Sequence, residues 1–140
     1  MKEQLARYTV SMDERLLEEF DRMIAAKGYA NRSEAVRDLI RSALVEEQWD
    51  NDTGKVAATV TLVYDHHGGN VAERLGHIQH HHHGVVVSAT HVHLDNDNCL
   101  EVVILRGRIH EVRHLAGEMT AMKGVKHGKV VFTTEGKNLY

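Results

Sequence analysis

Hydrophobic spacing divides the chain into two differently patterned stretches. Arg7-Tyr8-Thr9-Val10-Ser11 alternates polar and apolar side chains, as a strand exposed on one face does. Ser11 followed by Glu14 has the spacing of a capping box. Leu16, Leu17, Phe20, Met23 and Ile24 then recur on one helical stripe, and Gly28 is placed to end that helix. Asn31 is placed to cap a second helix, with Glu34 at its third position. Val36, Leu39, Ile40, Ala43 and Leu44 form the second apolar stripe. The pattern predicts strand–helix–helix over residues 1–45, a unit too small to bury a core without staples or a partner. It carries neither a disulfide nor a metal-ligand pattern, so it is expected to be an obligate dimer.

Residues 46–54, E-E-Q-W-D-N-D-T-G, are polar and turn-prone and are expected to form a linker. Its one large apolar residue, Trp49, has no place in either pattern. From 55 to 140 the spacing changes. Val56 to Tyr64 predicts a strand, Gly68-Gly69 a turn, and Val71, Leu75 and Ile78, extending toward His82, a helix. Val85 to Leu94 and Leu100 to Leu105 predict two strands, the second ended by Gly107. Ile109, Val112, Leu115, Ala116 and Met119 mark a helix, and Val125 to Phe132 a last strand. The order β-α-β-β-α-β is that of a ferredoxin-like, split βαβ unit. The expected class is therefore α+β, with no repeat beyond that motif's own pseudo-duplication.

Composition narrows the function. The 140 residues suit one domain or two small ones. No apolar run approaches a membrane span, and the charged, amphipathic N-terminus is unlike a signal peptide. A single cysteine excludes an intramolecular disulfide framework and fits a reducing cytoplasm. The net charge of -3 gives no support for a nucleic-acid binder. Residues 1–45 hold eight basic and eight acidic side chains, so that part is locally neutral. The 12 histidines are the compositional outlier.

Those histidines carry the chemistry. In H-V-H-L-D-N-D-N-C, alternation sends His91 and His93 to one face of a strand, roughly 7 Å apart along the backbone. Asp95-Asn96-Asp97-Asn98 is expected to fold the chain back, so that Cys99 returns a thiolate toward the same point. Imidazole with thiolate suits a late transition metal and not magnesium or calcium. Three such ligands leave a fourth position open, and the His80–His83 run just upstream supplies a candidate in His80, from this chain or another. A solvated helix end would explain that run equally well. Arg7, Thr9 and Ser11 share one strand face; they are either an ordinary solvent face or the base-reading side of a two-stranded ribbon in a DNA major groove.

The segments R-Y-T-V-S-M-D-E-R-L-L-E-E-F-D and G-Y-A-N-R-S-E-A-V-R-D-L-I-R resemble the ribbon-helix-helix family of repressors across residues 5–44. The resemblance implies base contacts from Arg7, Thr9 and Ser11. It also implies phosphate contacts from the backbone at Asn31, Arg32 and Ser33, where a helix N-terminus has free N–H groups, with Arg37 adding charge. Taken with Q-H-H-H-H, A-T-H-V-H-L and D-N-C-L-E, the whole chain resembles the nickel-responsive regulators of the NikR family. That resemblance implies an ACT-like second domain forming the core of a homotetramer. It further implies square-planar nickel(II) held by His91, His93 and Cys99 of one subunit and His80 of another. Glu34 and Asp38, one helical turn apart, would help hold a potassium-like cation. Tyr64 and Glu101 would orient the ligand histidines. His66, His67, His77, His110, His114 and His127 are read as surface residues, some of them weaker secondary metal sites.

The expected function is a nickel-dependent repressor of a palindromic operator in double-stranded DNA, regulating nickel uptake. It would be neither membrane-bound nor an enzyme, with no small-molecule substrate. The competing readings are a regulator of the same architecture responding to copper or zinc, and a metal-buffering protein that does not bind DNA.

Overall fold

The computed structural model describes residues 4–51 and 54–140, and the chain falls into two units, residues 1–42 and 43–140. The first holds α1 (Glu14–Ala26) and most of α2 (Arg32–Asp50). The N-cap of α1 is Asp13, whose carboxylate accepts from Arg15 N at 2.9 Å. The capping-box reading at Ser11 is thus corrected by two residues: Asp13 is closer to the first apolar turn, and its carboxylate satisfies the free N–H there. Past Ala26, Tyr29 N donates to Ile24 O at 3.0 Å while Gly28 takes φ +81°, a left-handed termination that glycine adopts at least cost. Asn31 caps α2 as expected, its Oδ1 accepting from Glu34 N at 2.9 Å.

Among the described residues of this unit only Ile24 and Ala35 are buried. Leu16, Met23, Leu39 and Ile40 of the two predicted stripes remain exposed, and so do Tyr8 and Val10. Residues 4–12 carry no strand in the single chain, where Arg7–Ser11 was expected to be one. A strand is defined by a ladder of hydrogen bonds to a neighbour, and among the described residues of this unit no strand offers that segment a partner.

The second unit is the expected α+β layer. Its strands are β1 (Lys55–Asp65), β2 (Val86–His93), β3 (Asn98–Arg108) and β4 (Val125–Phe132), with α3 (Val71–His81) after β1 and α4 (Ile109–Thr120) after β3. The sheet order is β2-β3-β1-β4 with every pair antiparallel, the ferredoxin-like arrangement. Alternation along β1 buries Val56, Ala58, Val60, Leu62 and Tyr64. They share one core with Val71 and Leu75 of α3 and with Ile109, Val112, Leu115, Ala116 and Met119 of α4. β3 runs three residues past its predicted end, through Gly107 to Arg108, and α4 begins at the next residue. Gly124 lies at φ +99°, where a Cβ would stand 2.5 Å from Val71 Cγ2. Glycine is the residue that lets this turn close on the core.

The expected linker is mostly helix. α2 continues to Asp50, while residues 52 and 53 lie outside the described residues. Trp49 explains the extension. Its ring is buried and packs on Phe132 with centroids 4.3 Å apart, its Nε1 donates to Thr133 O at 2.9 Å, and the Arg113 guanidinium lies over it at 5.5 Å. Arg113 also donates to Trp49 O at 3.0 Å, closing a helix-end carbonyl. A polar stretch with one large aromatic read as linker because its single anchor has no periodicity.

Removing that anchor should be costly. Trp49→Ala is expected to lower the unfolding free energy of the second unit by about 3–5 kcal/mol, the range for deleting a buried tryptophan. Denaturant unfolding followed by circular dichroism measures it, and a loss below about 1 kcal/mol would show that Trp49 packs without holding.

Candidate metal centre

Strand register builds the site. His93 pairs with Cys99 and Cys99 with Tyr64, so three side chains stand in one row across β2, β3 and β1. The adjacent row is His91, Glu101 and Leu62. Directly opposed residues in antiparallel strands point to the same face. Tyr64, Cys99, Glu101 and Leu62 are buried, so both rows belong to the core side of the sheet, with the histidines at its edge strand.

The turn at 95–98 returns the chain as expected. Asp95 Oδ1 accepts from Asp97 N at 2.8 Å and Asn98 N at 2.7 Å, and Leu94 N donates to Asn98 O at 2.8 Å. These bonds hold the Asp95 carboxyl below its usual range, the Asn98 side chain contributing most. At β1–β4 the register shifts between Val63 and Tyr64, and Lys126 beside that irregularity donates from Nζ to Asn98 Oδ1 at 2.6 Å. The turn is therefore tied from within and from the neighbouring strand.

Among the described residues one group could hold a metal: His66, His91, His93 and Cys99, whose donor atoms all lie within 4.8 Å of one another. Cys99 Sγ is 3.5 Å from His93 Nδ1. Two donors bound to one ion at roughly 2.0–2.3 Å and at right angles stand about 3 Å apart, so this spacing needs little adjustment. Burial, aided by the charges of Asp65, Asp95 and Glu101, pushes the Cys99 thiol up. Donor softness points to a late transition metal.

Behind His91 lies a hydrogen-bonded chain. His91 Nδ1 is 3.0 Å from Tyr64 Oη and 3.4 Å from Glu101 Oε1. Tyr64 donates to Glu101 Oε1 at 3.5 Å, and Gln79 Nε2 of α3 donates to Glu101 Oε2 at 2.9 Å. Burial, with the nearby Glu101 and Cys99, pushes the Tyr64 hydroxyl well above its ordinary value, so it stays a donor. Tyr64 and Glu101 were singled out in the sequence. Gln79 was not, because a lone glutamine beside a histidine run carries no signal.

The other expected residues are dispersed. His80 lies in the last turn of α3, exposed and outside the group of four. His66, read as a surface histidine, belongs to that group; it sits on the β1–α3 loop, where no periodicity exists to place it. In the first unit Arg7, Thr9, Ser11, Asn31, Ser33, Glu34 and Arg37 are exposed. The Arg32 guanidinium is held by Asp21 at 2.8 and 2.7 Å. Asp38 accepts from Tyr29 Oη at 2.9 Å and from Arg41 Nη1 at 3.0 Å, so both its oxygens already have donors. No helix among the described residues is long and apolar enough to cross a membrane.

Residues 57–133 match the family described as the NikR C terminal nickel binding domain, and residues 6–47 match the ribbon-helix-helix proteins of the copG family. Curated relatives named "Putative nickel-responsive regulator" cover nearly the whole chain. The one from Geobacter metallireducens is 54% identical over 134 residues, 96% of each chain. The Geobacter sulfurreducens protein is 55% identical over the same span and share. The Desulfovibrio desulfuricans protein is 53% identical over 135 residues, 96% of this chain and 97% of its own.

The burial of Cys99 makes its reactivity a probe of the turn. In the folded protein without added metal, Cys99 is expected to react with a thiol reagent far more slowly than in denaturant, and Asp95→Ala should accelerate it. Time courses of modification in buffer and in guanidinium measure this. Equal rates in the two solvents would mean that the turn does not shield the sulfur.

Proposed function

This chain belongs to the nickel-responsive regulators, and from that premise we propose that it is a repressor binding a palindromic operator in double-stranded DNA when nickel(II) is bound. The observation that carries the reading is the convergence of His91, His93 and Cys99 in a chain that begins with a ribbon-helix-helix segment. Nickel(II) would supply a square-planar centre that accepts four nitrogen and sulfur donors and leaves no place in the plane for a substrate. His91, His93 and Cys99 provide three donors, and His80 of a partner subunit provides the fourth. His80 is exposed and lies outside its own chain's group, which supports that assignment.

Tyr64 and Glu101 set the tautomer of His91. A proton kept on Nδ1 is donated to the Tyr64 oxygen, Tyr64 donates onward to Glu101, and Nε2 is left as the ligating nitrogen. Gln79 ties the last turns of α3 to the same carboxylate, so a completed donor set orders the helix and the ligand strand together. This is the physical link through which metal occupancy reaches the rest of the assembly. The coupling is expected to be about 1–3 kcal/mol and reciprocal, operator DNA tightening nickel binding by the same factor.

The assembly is a homotetramer. The first unit supports pairing: with Ile24 and Ala35 the only buried apolar residues among those described there, it gains a core by setting its exposed stripes against a second copy. Residues 7–11 of two copies then form the antiparallel ribbon, with Arg7, Thr9 and Ser11 toward the bases. Asn31, Arg32 and Ser33 offer backbone N–H groups to a phosphate, with Arg37 beside them, and the Arg32 side chain stays with Asp21. In the second unit, the sheet face opposite the helices exposes Val92, Ile104 and Val131, which suits packing between subunits. Division at residues 45 and 55 into a DNA-binding part and a metal-binding, tetramer-forming part follows from this reading. A potassium-like cation at Glu34 and Asp38 would compete with Tyr29 and Arg41 for the Asp38 oxygens. Cytoplasmic nickel-uptake genes are the expected targets.

Selection of random genomic fragments on the protein, with and without nickel, tests the function. A two-fold-symmetric site enriched only with nickel, and lost in Cys99→Ala and in the triple alanine variant at Arg7, Thr9 and Ser11, is expected. Tight nickel binding with no enriched fragment would favour metal buffering, and enrichment with copper or zinc but not nickel would favour a sensor of another metal. Separately, Glu101→Gln is expected to weaken nickel binding about 10–100-fold, the usual effect of losing a partner of a ligand histidine. Competition with a chromophoric chelator reads it; an unchanged affinity would remove Glu101 from the account.

A further inference from the structure

The donor group gathered within the single chain is not the one the partner subunit would complete. Its fourth member is His66 of the same chain, and the loop holding it is built rather than loose. His66 N donates to Asp97 O at 2.6 Å, His67 N to Asp65 Oδ1 at 2.8 Å, and His67 Nε2 lies 3.0 Å from Asn96 O. The β1–α3 loop is thus pinned to the same turn that positions Cys99. The His66 ring stands 4.7 Å from that of His93 and 6.1 Å from that of His91, edge-on to both. These bonds hold the His66 backbone against the turn that carries Cys99, so its imidazole starts from a fixed point beside the sulfur.

We infer that the chain carries a second, intrachain donor set for a divalent late transition metal, made of His66, His91, His93 and Cys99. The inference rests on the nickel-site reading and deepens it. The two sets share three donors, so His66 and His80 of the partner subunit compete for the fourth position on one ion. Within a single chain His66 closes the set, letting the metal be captured before or without the partner's histidine. Transfer to the interface breaks one metal–imidazole bond and forms another. One imidazole donor replaces another, so no electron need move. The pinned loop then releases His66 as the partner's His80 arrives, and metal capture and subunit locking become separate steps of one site.

The test uses the full chain, nickel(II) alone, and variants His80→Ala, His66→Ala, His66→Gln and the double variants at both positions. Nickel–thiolate absorption and the rate of nickel release to a chelator are the readouts. His80→Ala is expected to keep a nickel–thiolate band of altered position. The double variants should release nickel about tenfold or more faster than His80→Ala, since losing a ligand costs at least what losing an outer partner does. His66→Ala and His66→Gln alone should reach the wild-type spectrum at saturation but load more slowly. Equal release from His80→Ala and from the double variants overturns the inference and leaves the nickel site standing. Absence of any thiolate band in the wild type, with Cys99→Ala binding nickel unchanged, overturns both.

Discussion

The register of three antiparallel strands is the constraint on which the candidate site depends. Pairing His93 with Cys99, Cys99 with Tyr64, and His91 with Glu101 sets two ligand rows and their hydrogen-bond partners on the core side of the sheet. A slip of one residue in β2 against β3 would send both β2 histidines to the opposite face, away from the thiol. The register is fixed from two directions. Buried alternation in β1 and β3 penalises any slip hydrophobically, and the Asp95 turn limits how the two strands can be joined. The site's precision is inherited from the core, a more rigid foundation than a loop would give.

That arrangement also links local chemistry to a larger element. Glu101 is the one buried charged residue among those described, and its oxygens face His91, Tyr64 and Gln79. A buried carboxylate is costly unless its hydrogen bonds are supplied, so the three groups are held by the same penalty that would follow from their loss. The helix α3, the ligand strand and the central strand meet at that carboxylate. The first unit, by contrast, leaves much of its apolar stripes open to solvent in the single chain, and its small core is what makes association part of the proposed function.

Much of this was legible in the sequence where periodicity is strong. Val56 to Tyr64 alternates and α4 repeats at helical spacing, so those elements and their buried faces emerged from the pattern. H-x-H on one strand face and a return to Cys99 through an Asp/Asn turn were legible for the same reason. What escaped lies where a residue's role depends on a contact distant in sequence. Trp49 finds Phe132 and Thr133 across the chain, so the segment around it read as a linker although it is helix. His66 is placed by a backbone bond to Asp97, which no spacing within its own loop encodes. The alternation at residues 7–11 was read as a strand, but the single chain offers that segment no ladder among the described residues.

In the proposed function Cys99 and the paired histidines bind nickel as one centre. The nickel K-edge X-ray absorption spectrum of the fully loaded wild-type protein addresses it most directly. One sulfur and three nitrogen neighbours in a planar edge shape, with the sulfur shell lost in Cys99→Ala, is the predicted result. A six-coordinate spectrum of nitrogen and oxygen alone, unchanged by that substitution, would contradict it.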